Sequence, residues 1–321
     1  MNYTKNTSKL QVLEEQNHTK HKLMNNDMII KLRQCGFDKE AGLVNGCGTR
    51  IGFSIQEHIQ TKDTRRRLKE ANFCKFRFCA TCNWRRNLNI NRELLQAFEA
   101  VEASRSVSYL FLTLTIENPK TSDLKATIKL MNEAFKRMSK TKAYKNTILG
   151  HFKALEIVGD KTKDGEVHPH FHIILIVSSS YFNGDYYLSQ DKWVEMWQKA
   201  LRVDYRPVVD VRRIKAKKTK NGKQLTALQS AVFEVAKYSV KHTILTEKLD
   251  NEFAEIMIQT KGMRFFATGG ILKDMINLQK CDEELIQFQR ELEEQWREVY
   301  EEIYEWLNGD YRLTNIKQIK A

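Results

Sequence analysis

Three histidines spaced two apart, His168-Pro169-His170-Phe171-His172, run straight into the apolar stretch Ile173-Ile-Leu-Ile-Val177. On a strand, alternation sends His168, His170 and His172 to one face and Phe171, Ile173 and Leu175 to the other. Imidazoles at i and i+2 stand ~6–7 Å apart along a strand and can converge on one metal ion. A lone strand histidine usually packs; three in alternation before a buried run are hard to explain by packing, and a metal site is expected here. The third ligand should come from the neighbouring strand. Glu156, in Ala154-Leu-Glu-Ile-Val158, is a carboxylate inside an apolar stretch, costly to bury unless paired or metal-bound. A surface acid on the alternating pattern is the other use of such a residue. Two histidines and one carboxylate with open positions suit Mn²⁺ or Mg²⁺ acting on a phosphate oxygen, with Zn²⁺ chemically allowed.

A second constellation is Glu234-Val-Ala-Lys-Tyr238-Ser-Val-Lys241. On a helix, spacings of four and three put Glu234, Tyr238 and Lys241 on one stripe, with Val232, Val235 and Val240 left for packing. A tyrosine can act as a covalent nucleophile, and a nearby cation and metal would stabilise its phenolate. A surface tyrosine with a lysine neighbour is the plain alternative.

These residues need a scaffold. Ser108 to Ile116 reads as a strand stopped by Glu117-Asn118-Pro119. Ser122 or Asp123 caps a helix to about Lys142, with Ile128, Met131, Phe135 and Met138 at helical spacing. Strands follow at Ile148–Val158 and Glu166–Ser178, joined by a turn at Asp160–Gly165. A helix at Ser189–Leu201, a strand at Pro207–Ile214 and a helix from Leu225 to about Leu245 complete the series. The order β-α-β-β-α-β-α implies an α+β, ferredoxin-like antiparallel sheet of about five strands with helices on one face. The expected domains are a loosely ordered arm (1–45), a basic cysteine-bearing segment (46–105), the sheet domain (106–278) and an acidic C-terminal helix (279–321). On that helix Leu285, Phe288, Leu292, Trp296, Val299, Ile303 and Trp306 form a stripe for its own domain or for self-assembly.

Charge points to the partner. The 321 residues carry a net +13, yet residues 282–307 hold ten acids and two bases, a balance of −8 that leaves +21 elsewhere. Such an excess favours a polyanion, because neutralising phosphates releases counterions. Arg212 to Lys223 has seven bases and no acid, so Arg212, Arg213, Lys215, Lys217 and Lys218 are candidate DNA contacts. The longest apolar run is too short for a membrane helix and no signal peptide is visible, so the cytoplasm is the expected compartment. Six cysteines, three of them bunched, suggest free thiols or metal ligands rather than a disulfide framework.

Taken in order, Phe111-Leu-Thr-Leu-Thr-Ile-Glu-Asn118, His168-Pro-His-Phe-His-Ile-Ile-Leu175 and Tyr238-Ser-Val-Lys241 resemble the motifs of the HUH endonucleases. The likeness is to the replication initiators of small bacterial rolling-circle plasmids and covers about residues 47–275. It implies metal-dependent, strand-specific nicking of single-stranded or hairpin origin DNA. His170, His172 and Glu156 would be the ligands and His168 an accessory group. Tyr238 would form a 5′-phosphotyrosine and leave a 3′-OH primer, with Lys241 orienting or activating it. Glu234, four residues earlier, would serve water to end the reaction; a second tyrosine (Tyr186, Tyr187 or Tyr205) is the alternative. Cys74-Lys-Phe-Arg-Phe-Cys79-Ala-Thr-Cys82-Asn-Trp-Arg-Arg86 resembles the family's upstream cysteine segment, with Ala80 where proline is usual. Cys47 could complete a four-thiolate zinc site, with Cys35, His58 or metal-free thiols as alternatives. Arg77, Arg85 and Arg86 would then touch DNA. A host helicase and polymerase are partners the family implies. A transposase or mobilisation relaxase is the neighbouring reading, though a tyrosine after the histidines favours the initiator. A non-catalytic, zinc-stabilised origin- or RNA-binding protein is the reading from another class.

Overall fold

The protein is described from a computed structural model, over residues 9–157, 162–183, 186–218, 222, 224–236, 242–286 and 295–319. In chain order these residues form α1 (Lys9–Gln34), α2 (Asp38–Gly46), β1 (Arg50–His58), β2 (Thr64–Ala71), α3 (Ala80–Ser104) and β3 (Val107–Thr115). Next come α4 (Leu124–Ser139), α5 (Lys142–Thr147), β4 (Ile148–Glu156), β5 (His170–Ser178), α6 (Gln190–Leu201) and β6 (Val209–Arg213). The rest are β7 (Lys217–Lys218), β8 (Gln224–Leu225), α7 (Ala227–Ala236), α8 (His242–Thr246), α9 (Asp250–Gln259), β9 (Phe266–Gly270), α10 (Leu278–Glu283), β10 (Trp296–Leu307) and β11 (Asp310–Gln318). They divide into two compact units, one of residues 1–89 with 280–321 and one of residues 90–279.

In the first unit the antiparallel strand order is β11-β10-β1-β2. Two expectations are corrected here. The acidic C-terminal helix is instead the β10–β11 hairpin. Its first strand is rich in aromatic and β-branched residues (Trp296, Val299, Tyr300, Ile303, Tyr304 and Trp306), and Asn308-Gly309 takes the positive φ values (54° and 85°) of a tight hairpin turn. The expected loose arm is instead helical, with Met28 and Leu32 of α1 and Val44 of α2 buried. Acids of β10 answer bases of β2 two strands away, and one pair joins the adjacent strands β10 and β1. Lys69 Nζ bonds Glu298 (2.9 Å) and Glu301, Arg66 pairs with Glu302 (3.3 Å), and Arg297 with Glu57 (2.6 Å).

The second unit has the order β6-β3-β5-β4-β9 with every neighbour antiparallel. This is the expected α+β sheet of five strands, with the central order that a split β-α-β unit produces. Ile128, Met131, Phe135 and Met138 are the buried stripe of α4, and Phe135 meets Phe171 edge-on (6.2 Å) on the face away from the histidines. Ser189 caps α6, whose buried Trp197 donates its indole N–H to Thr115 O (2.7 Å). Against the other face, Phe98 of α3 stacks on Tyr109 (5.2 Å). The edge strand β9 uses glycine where β4 presents His151: a Cβ on Gly269 would lie 2.2 Å from that ring. Among the described residues, no helix is long and apolar enough to cross a membrane.

Candidate metal centres and nucleic-acid interface

β5 lies between β3 and β4, and its register brings Glu156 opposite His170, Ala154 and Thr113 opposite His172, and Thr115 opposite His170. Paired residues share a face, so the expected trio converges on the sheet. Glu156 Oε2 lies 3.2 Å from His170 Nε2 and 3.1 Å from His172 Nε2. All three side chains are buried, and one ligand atom from each lies within 4.8 Å of the others. Burial works to raise the Glu156 carboxyl, but hydrogen bonds from His170 and then His172 overcome it and hold the group well below the usual carboxylate range.

The outer nitrogens of the rings orient this arrangement. His170 Nδ1 meets His168 O at 2.8 Å, and a carbonyl only accepts, so the proton of a neutral His170 ring sits on Nδ1. Its Nε2 then turns a lone pair towards a carboxylate, two acceptors that require a cation or a second proton between them. The donor set therefore fits a divalent ion, with the outer contacts that metal-ligating histidines make. His172 Nδ1 meets Thr113 Oγ1 (3.2 Å), and its ring stacks on Phe111 (5.4 Å). His168 stands beside the group, its ring centroid 4.8 Å from that of His170, and donates from Nδ1 to Asn118 Oδ1 (2.6 Å).

Sequence reasoning missed the supports. Thr113 and Asn118 lay inside the first motif and carried no separate signal until the register set them beside the histidines. Half-buried Lys248 pairs with buried Glu252 (3.4 Å). Lys248 Nζ also donates to Thr162 Oγ1 (2.9 Å) and Glu166 O (3.2 Å), while Glu252 accepts from Gly165 N. Together they hold the chain just ahead of His168.

In the first unit, the sulfurs of Cys47, Cys74, Cys79 and Cys82 also lie within 4.8 Å of one another. Cys47–Cys82 is 3.4 Å, Cys47–Cys79 3.5 Å and Cys74–Cys82 3.6 Å. A tetrahedron of ~2.3 Å zinc–sulfur bonds has edges of about 3.8 Å, so the four fit a zinc ion closely. N–H donors aim at the sulfurs: Asn25 Nδ2 at Cys79 (3.4 Å) and the Cys74 amide at Cys47 (3.4 Å). Lys22 is buried beside them and donates to Cys47 O (2.8 Å). Burial lowers its pKa, while Cys47, Cys79 and Cys74 pull it back up. Cys35 and His58 stand outside the group; His58 instead bonds Gln295 (3.2 Å).

The basic candidates separate. Arg85 and Arg86 are buried, which corrects the expectation that they contact DNA. Arg85 Nε donates to Leu285 O (3.0 Å), and Arg86 to Phe76 O (3.3 Å) and Lys75 O, pinning the loop between Cys74 and Cys79. A guanidinium's five donors suit it to carbonyls that no backbone partner reaches. Arg77 is half-buried. Arg212, Arg213, Lys215 and Lys218 are exposed and Lys217 half-buried. Tyr238 and Lys241 lie outside the described residues. Glu234 falls on α7, which lies against β3 and β5. Tyr205 accepts from the Glu117 amide (3.1 Å), near the His170 end of β3, whereas Thr147 donates to Tyr186 O (3.4 Å) at the far end of β4.

Residues 65–312 match the family model Rep_1, described as "Replication protein". A "Protein rep" of Lactiplantibacillus plantarum is 36% identical over 246 residues, 74% of each chain. One from Bacillus amyloliquefaciens is 31% identical over 290 residues, 85% of this chain and 84% of its own. One from Streptococcus pneumoniae serotype 2 (strain D39 / NCTC 7466) is 33% identical over 235 residues, 72% of this chain and 69% of its own. No solved structure matches. With two thirds or more of the length shared, the chain belongs to the Rep_1 family of replication proteins.

Proposed function

We propose that the protein initiates rolling-circle replication of a plasmid by nicking one strand of its origin through a covalent phosphotyrosine. The observation that carries this reading is the convergence of Glu156, His170 and His172 on adjacent central strands of a chain in a replication-protein family. These three residues would hold a divalent cation, manganese or magnesium, which when bound polarises the scissile phosphate of single-stranded or hairpin DNA. Tyr238 attacks the phosphorus: its phenolic oxygen forms the new P–O bond, the bond to the 3′ oxygen breaks, and the phenolic proton leaves to solvent. A 5′-phosphotyrosine and a free 3′-OH result, the latter a primer for a host polymerase working with a host helicase. Lys241 favours the phenolate by charge. Glu234, four residues before Tyr238 in the sequence, acts as general base for the water that ends the cycle. His168 steadies His170 through its carbonyl. Cys47, Cys74, Cys79 and Cys82 would hold a structural zinc.

The test is a denaturing gel of the full chain with a labelled origin hairpin and Mn²⁺. A covalent band in the wild type, lost in Tyr238→Phe and in His170→Ala/His172→Ala, is expected. A band that survives Tyr238→Phe moves the nucleophile elsewhere. Tight binding of intact DNA with no band would overturn the enzyme in favour of an origin-binding protein.

A further inference from the structure

The end of the second unit's sheet opposite Glu156 and His170 carries a group that the nicking reaction does not use. There β5 ends at Ser178, opposite Val107 of β3, and β4 begins at Ile148 opposite Val177. The chain leaving β5 is closed into a loop by Tyr181, which is buried. Its hydroxyl donates to Leu188 O and accepts from Leu188 N, both at 3.1 Å. Tyr187 packs against the Tyr181 ring (5.4 Å), and Thr147 holds the backbone at Tyr186. On this anchored frame Tyr186 and Tyr187 are 61% and 54% exposed. Phe182, from the same loop, lies under the Arg213 guanidinium at 4.2 Å. Arg213 closes β6, and residues 212–218 contain five bases and no acid. Arg212 shares its charge with Asp210 (2.6 Å), so Arg213 and the lysines after it supply most of the local field.

Exposed aromatic rings interleaved with cations are the chemistry of single-stranded nucleic acid: rings stack on unpaired bases while cations follow the backbone. Duplex DNA would meet the cations but offer no base faces to the tyrosines. We infer that Phe182, Tyr186, Tyr187 and Arg213 bind the origin strand at a second point, as unpaired DNA, about eight nucleotides from the nick. The spacing follows from the strand. His170 to Ser178 spans eight residues, ~26 Å at ~3.3 Å each, and stacked nucleotides advance ~3.4 Å. The inference rests on the nicking reading for the position of the nick, but not for the binding itself.

The experiment separates the two. Full-length protein is titrated, in EDTA, against fluorescent single strands that carry the nick site with arms of about 4 or about 12 nucleotides. Tyr186→Ser/Tyr187→Ser should weaken binding to the long-armed strand about tenfold or more, from the usual worth of a stacked base, and leave the short-armed strand unchanged. Tyr186→Phe/Tyr187→Phe should restore the affinity, since the ring and not the hydroxyl does the stacking. The serine variant should still nick the short-armed strand with Mn²⁺. Equal affinity of wild type and serine variant for the long arm overturns the second contact while leaving the nicking reading intact. A serine variant that instead turns a wild-type dimer into a monomer in sedimentation also overturns it, by making this face a contact between copies. A wild type that binds neither strand sinks both.

Discussion

The two groups of candidate metal ligands in this protein are built on opposite plans. Four thiols in the first unit enclose a point completely, and N–H donors from Asn25 and Cys74 press on their sulfurs. Three side chains in the second unit come together from two adjacent strands and leave the rest of a coordination sphere open. A closed set of four sulfurs suits a metal that holds a fold, while an open set of three suits one that must meet a substrate. Their sequence distribution agrees. The cysteines gather a loop, a turn and a helix start that lie outside any strand ladder, whereas Glu156, His170 and His172 stand on strands already fixed by ladders on both sides.

The largest effect should come from breaking the closed group. Cys79→Ser, or a strong chelator, should lower the stability of the first unit on the order of 5 kcal/mol or more, since metal binding at such a site is folding free energy. Thermal melting followed by circular dichroism reads it. His172→Ala should change the melting temperature little yet reduce covalent-adduct formation by at least about 10²-fold, a ligand being worth more than its outer partner. If His172→Ala melts the protein and Cys79→Ser does not, the assignment of the two groups is reversed.

The outer contacts sharpen the contrast at a lower magnitude. Thr113→Val removes the oxygen that meets His172 Nδ1 and should weaken Mn²⁺ affinity roughly 10–100-fold, measured by calorimetry, without loss of fold. Asn25→Ala removes a donor to Cys79 and should speed zinc release to a chelator while leaving Mn²⁺ affinity unchanged.

Acid should distinguish the units too. His18 is fully buried among Trp84, Phe53 and Tyr311, and both ring nitrogens lack a hydrogen-bond partner among the described residues. Burial, helped by the charge of Arg85, His21 and Arg66, pushes its pKa from 6.5 down to about 3. Between those values the unfolded chain holds a proton that the folded one refuses, so stability falls as pH falls through that window. The slope approaches about 1.4 kcal/mol per pH unit from this one residue. In denaturant melts across pH 6.5 to 4, wild type should lose stability more steeply than His18→Leu as pH drops; parallel curves would mean that His18 takes up its proton without cost. His151 in the second unit is also lowered, to about 4 by burial and then by Lys153, but its Nδ1 has the Tyr144 hydroxyl at 3.0 Å.

The five-stranded sheet is legible in the sequence because its signals are of one period and agree with one another. Alternating histidines, a capped amphipathic helix and β-branched runs all pointed to one topology, and the carboxylate in an apolar strand pointed to the ligand. The C-terminal hairpin reads as a helix because Trp296, Val299, Ile303 and Trp306 satisfy a helical spacing, while on the strand Tyr300, Tyr304 and Trp306 alternate onto one face and a register shift separates Trp296 from them. The Asn308-Gly309 turn was the local feature that decides between them. The role of α1 was hidden for a different reason. Lys22 and Asn25 matter through cysteines more than twenty residues away, and no local pattern announces a long-range donor.

The smallest effect tests the charges. Arginines beside Cys82 and bases after β6 look alike in composition, yet Arg85 and Arg86 spend their donors on carbonyls while Lys215 and Lys218 face solvent. A base that neutralises a phosphate steepens the dependence of affinity on salt, and each one lost from a single-strand site should flatten the log–log slope by ~0.7. Lys215→Gln/Lys218→Gln should therefore flatten it by about 1.4 and leave the melting temperature where it was. Arg86→Gln should do the reverse: an unchanged slope, with the Cys74–Cys79 loop loosened and zinc released faster. Binding isotherms of an origin strand at three or four salt concentrations decide it. A slope that responds to Arg86 and not to the lysines would return the DNA contact to the cysteine segment.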